Sequence, residues 1–67
     1  MFAVKIVKGK WRGFFVADET RVSPPYTKVK SYIRKFNRDQ SDRYRLHESE
    51  IWVLFDEIRD HELIREK

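Results

Sequence analysis

Cations and aromatic rings are the residue types with the clearest chemistry to offer in this 67-residue chain. Lys28, Lys30, Arg34, Lys35 and Arg38 recur over a stretch whose apolar residues Val29, Tyr32, Ile33 and Phe36 occupy one arc at the helical spacing of about 100° per residue. Five cations would then share one exposed helix surface. Such a surface favours binding to a polyanion through phosphate contacts and counterion release, and a helix is a shape the DNA major groove accepts. The bland alternative is an ordinary solvated helix face, and an acidic protein is a third candidate for the same surface.

A second constellation is Phe14 among Lys5, Arg12 and Lys10. An exposed ring flanked by cations on a sheet can hold single-stranded nucleic acid by base stacking and phosphate attraction. Burial of Phe14, Val7 and Val16 under a C-terminal helix or a second subunit is the competing reading. Towards the C-terminus, Glu50, Asp56, Glu57, Asp60, Glu62 and Glu66 form an acidic set with Val53 and Ile64 among them. That set could dock on a basic protein, or on the basic face of another copy to make a homodimer.

Catalytic arrangements are weakly supported. His47-Glu48, with Arg43, Tyr44 and Arg45 nearby, can be written as an acid/base set for RNA cleavage, but nothing in the spacing demands it. The chain has no Cys, its two imidazoles, His47 and His61, lie fourteen positions apart, and Gly9 and Gly13 are its only glycines. A metal site, a Gly-rich phosphate loop and a nucleophile elbow all lack their parts. The expectation is therefore a non-enzyme with no cofactor and no metal.

The elements that must position these residues belong to one domain, residues 1–67, since a chain this short buries only about 60% of its unfolded surface and leaves no second core. Its formal charge of +4 divides unevenly: residues 1–45 carry twelve basic and four acidic side chains, and residues 46–67 carry three and seven. No segment approaches the roughly 20 apolar residues of a membrane span, and Met1-Phe2-Ala3-Val4-Lys5 has no signal-peptide pattern. A soluble, cytoplasmic protein is expected.

Phe2 to Lys8 and Trp11 to Ala17 read as strands, and Gly9-Lys10 between them reads as a two-residue type II′ turn. In that register Ile6 faces Gly13, Val4 faces Phe15 and Phe2 faces Ala17. Asp18-Glu19-Thr20 reads as a turn, and Arg21-Val22-Ser23 as a short edge strand stopped by Pro24-Pro25. Tyr26 to Asn37 fits an amphipathic helix, Arg38 to Arg43 a loop, and Tyr44 to His47 a short strand. From Ser49 as N-cap, Ile51, Leu54, Phe55 and Ile58 fit a second helix in preference to a strand over Ile51 to Phe55. The fold expected is α+β: a small antiparallel sheet, made of the N-terminal β-hairpin and short strands, with two helices packed on one face in the order β-β-(β)-α-β-α. Its core should comprise Val4, Ile6, Phe15, Val29, Ile33, Phe36, Leu46, Ile51, Phe55 and Ile58. The function expected is that of a small basic nucleic-acid-binding protein, regulatory or accessory. The alternative is a protein-interaction module that binds and modulates a larger protein as inhibitor or adaptor.

Overall fold

The N-terminal run of branched and aromatic residues forms strand β1 (Phe2–Ile6), and the chain returns through β2 (Phe15–Val16). β3 (Tyr26–Thr27), a single α-helix α1 (Arg38–Arg43) and β4 (Glu50–Leu54) follow in this computed structural model, which describes residues 1–18 and 25–64. The edge strand expected at Arg21-Val22-Ser23 and most of the turn before it lie outside the described residues. The strands form one antiparallel sheet in the order β3-β2-β1-β4. The architecture is mixed α and β, and the two long helices expected on one face are replaced by extended chain and short 3-10 turns at Lys30–Tyr32, Phe55–Glu57 and Asp60–Glu62.

The reason is visible in the spacing of Ile33 and Phe36. Residues three apart share a face on a helix but lie on opposite sides of an extended segment. Here the backbone pairs Ile33 with Ala17 and Phe36 with Phe2. Ile33 enters a core with Ala3, Phe15, Phe55 and Ile58 on one side of the sheet, while Phe36 meets Phe2's side and sits 5.1 Å from both Tyr44 and Trp52, ring centre to ring centre. A pattern that suits one helix face thus serves two sheet faces. The β-branched and aromatic residues of this stretch suit the pleated surface they occupy.

Residues 50–54 resolve the same way. Ile51-Trp52-Val53-Leu54 lies in a ladder with all of β1, from Phe2 opposite Leu54 to Ile6 opposite Glu50. A helix there would have left one side of β1 without hydrogen-bond partners, a cost that helical spacing alone does not offset. Phe55 and Ile58 stay buried by way of a 3-10 turn, whereas Ile51 and Leu54 are exposed. Of the expected core, Val4, Ile6, Phe15, Ile33, Phe36, Phe55 and Ile58 are buried, Val29 is half-buried, and Leu46 and Ile51 are exposed.

The hairpin register also differs. The tight turn runs from Gly9 to Arg12, closed by the Arg12 N–H on the Gly9 carbonyl at 3.2 Å. Gly13 and Phe14 then oppose one residue, because Ile6 accepts from the Gly13 N–H and donates to the Phe14 carbonyl, both at 2.8 Å. This is a bulge built on a glycine with φ of +90°. The extra residue slips the register by one, so Phe15 lies opposite Lys5 instead of Val4.

The polar stretch Arg38–Arg43, expected as a loop, is the helix α1. Asn37 accepts from the Gln40 N–H at 2.8 Å and its own N–H donates to the Gln40 side chain at 2.9 Å, a capping box. The helix buries none of its residues. It delivers the chain to Tyr44 through an extended segment in which Tyr44–His47 forms no strand.

Candidate nucleic-acid interface

Gly9 and Gly13, with φ of +84° and +90°, let the chain reverse around the hairpin tip and bring Trp11 back beside Phe14. The two rings meet edge to face at 5.2 Å, and Trp11 also lies 5.1 Å from Tyr26 on β3. All three rings are half-buried. Lys28, one residue beyond β3, places its ammonium 4.9 Å from the centre of the Phe14 ring, and Lys10 places its own 5.7 Å from Trp11. Arg12 is exposed in the turn between them. Three rings and three cations therefore gather at one end of the sheet.

The other residues singled out as candidates lie elsewhere. Lys5 is on the opposite sheet face from Phe14, where its ammonium donates to Glu62 Oε1 at 2.5 Å and lies 5.9 Å from the Phe15 ring. Lys30 and Lys35 both approach the Phe55 ring, at 5.7 and 5.0 Å. The Arg34 guanidinium lies 4.6 Å from the Phe36 ring, and Arg38 is exposed at the start of α1. The five cations expected on one helix face do not share one, because that helix is absent: only Lys28 joins Phe14 and Arg12. Trp11 and Tyr26 were not among the expected binding residues. The signal that could have found them was the Trp-x-x-Phe spacing next to two glycines, which a bulged turn folds into ring contact.

Of the acid/base set written around His47, Tyr44 and the His47 backbone N–H are held by Glu50. Glu50 is buried, and its carboxylate accepts from the Tyr44 hydroxyl at 3.3 and 3.4 Å and from the His47 backbone N–H at 2.9 Å. Tyr44 and Glu50 thus pin the segment that enters β4. Burial first, and the Glu50 charge second, raise the Tyr44 hydroxyl pKa above its ordinary 10.0. Glu62 is shifted the other way: the hydrogen bond from Lys5 and a second from the Arg59 N–H lower its carboxyl below 4.5.

Among the described residues no group of three or more His, Asp or Glu side chains could hold a metal ion, and no helix is long and apolar enough to cross a membrane. Comparison with protein-family models, curated proteins and solved structures found no match.

Proposed function

We propose that this protein binds single-stranded nucleic acid at the hairpin tip, with Trp11, Phe14 and Tyr26 as a stacking surface and Lys10, Arg12 and Lys28 as phosphate contacts. The observation that carries this reading is the half-buried ring cluster with the Lys28 ammonium 4.9 Å above Phe14. Rings of this kind accept any base, because every base has a π-face, and cations beside them attract the backbone without regard to sequence. The formal +4 of the chain adds long-range attraction. A duplex fits this arrangement less well, since its bases are already stacked. The role proposed with this binding is regulatory or accessory.

The test is a fluorescence-anisotropy titration of a labelled single-stranded oligonucleotide at low and moderate salt. Phe14→Ala is expected to weaken binding by about 1 to 3 kcal/mol with little change in salt dependence, because stacking releases no counterions. Arg12→Glu with Lys28→Glu is expected to weaken binding to all sequences and to flatten the plot of log K against log salt, by roughly 0.7 per lost contact. No binding of single or double strands at low salt would overturn the proposal.

A second reading, a module that binds and modulates a larger protein, draws on a different observation: Ile51 and Leu54 are about two-fifths exposed on strand β4 at the sheet's edge. It gains weight if the oligonucleotide titration fails.

A further inference from the structure

Strand β4 ends the sheet, and its ladder shows which of its backbone groups face outward. The Val7 N–H donates to the Ser49 carbonyl at 2.7 Å and the Phe55 N–H to the Met1 carbonyl at 2.9 Å. In an antiparallel pair such bonds alternate, so residues 49, 51, 53 and 55 turn their backbone groups towards β1, and 50, 52 and 54 turn theirs away. The Glu50 N–H is taken by the His47 carbonyl at 3.0 Å. Among the described residues, Trp52 and Leu54 are left presenting N–H and C=O groups on the open edge.

Edges of this kind are usually blunted by charge, proline or a bulge. β4 has none of these: its one charged residue, Glu50, is buried, and Ile-Trp-Val-Leu follows. We infer that β4 pairs antiparallel with β4 of a second copy of this chain, about a two-fold axis at Val53, to give one continuous sheet across a homodimer. In that register Trp52 of each copy exchanges two hydrogen bonds with Leu54 of the other. Leu54, 44% exposed in the single chain, then lies beside the partner's half-buried indole on the same sheet face.

Charge favours the same occupant. Exposed Arg43 and Arg45, with one acid, Glu48, precede β4, and exposed Asp56, Glu57 and Asp60, with one base, Arg59, follow it, so the approach is net basic and the exit net acidic. Antiparallel crossing lays the basic approach of one strand along the acidic exit of the other, at both ends, whereas a parallel pair would set like charges together. Growth stops at two copies because the pairing is two-fold. The opposite edge of the sheet, β3, is only two residues long, and just beyond it the Lys28 carbonyl is already bonded by the Ile64 N–H at 2.9 Å.

The experiment is sedimentation equilibrium of the full chain across a range of concentrations, with Leu54→Pro and Ile51→Glu as variants. Leu54 has φ of −77°, which proline adopts, and its N–H points away from β1, so Leu54→Pro removes two bonds from the dimer and none from the monomer ladder. It is expected to weaken self-association by about tenfold or more while far-ultraviolet circular dichroism stays that of the parent. Ile51→Glu keeps the backbone intact and sets a carboxylate beside the acidic exit of the other copy's strand, and should weaken association likewise. Backbone amide exchange should show Trp52 and Leu54 protected only at concentrations where the dimer forms. A parent that stays monomeric at every concentration, or a dimer that both folded variants form as tightly as the parent, would overturn the inference.

Discussion

The fold biases the ionisation of Glu62 and Tyr44 in opposite directions, and stability should respond at opposite ends of the pH scale. The folded chain holds Glu62 ionised through Lys5, so its pKa is depressed below 4.5. The stabilisation from this group is fully present above that value and is lost as pH falls through the depressed one. For Tyr44 the neutral form is favoured, so its contribution is present below 10.0 and lost as pH rises through the raised value. Thermal melts from neutral pH into acid should show a decline in the parent that is shallower in Glu62→Gln, and melts into alkali one that is shallower in Tyr44→Phe. The Glu62 effect should be modest, since the Lys5 and Glu62 side chains remain about a quarter exposed to screening water.

Among the elements, the bulge at Gly13 does most to arrange the proposed interface. A Cβ at this position would meet only Lys28 Cε and Nζ at 3.7 Å, an ordinary contact, so space does not require glycine. The φ of +90° does. Gly13→Ala should therefore destabilise the fold by about 1 to 2 kcal/mol from backbone strain. If the strain is relieved by closing the bulge, Phe14 and Phe15 exchange faces and Trp11 loses its edge contact with Phe14. Denaturant titration measures the first effect, and Trp11 ring proton shifts report the second. The helix α1 shows the converse situation: a capping box and local charges suffice to form it, and nothing in it is buried.

For the whole molecule, the sheet is covered on both sides, and Ile33 is the residue that ties the central segment to one of the two cores. It is 2% exposed, contributes to the cluster of Ala3, Phe15, Phe55 and Ile58, and its backbone pairs with Ala17. Ile33→Ala should cost about 2 to 5 kcal/mol, against a total of roughly 3 to 10 kcal/mol expected for a chain of this size. The melting temperature should fall by about 10 °C or more. An unchanged melting temperature would show that this side of the sheet contributes little to stability.

What the sequence determined by itself is what local rules can carry. Alternation marked β1 and the buried Val4, Ile6 and Phe15, and two glycines marked the reversal that follows. The uneven charge and the lack of Cys were equally plain. The helix α1 was not read, because its polar composition suggested a loop, although the Asn37-x-x-Gln40 box that caps it lies in the sequence. Only the tertiary structure decided residues 26–37 and 50–58, because apolar residues at intervals of three and four satisfy either one helix face or, in extended chain, two opposite surfaces. The choice fell to partners far away in the chain: β1 needs hydrogen bonds on both of its sides, and Ile51 and Val53 supply them on one side and Phe36 on the other, across as many as fifty positions. The same pairing dispersed the basic residues that a helix would have aligned, and it brought Trp11, Phe14, Tyr26 and Lys28 together. That grouping depends on the slip of one residue at Gly13, which no local propensity specifies.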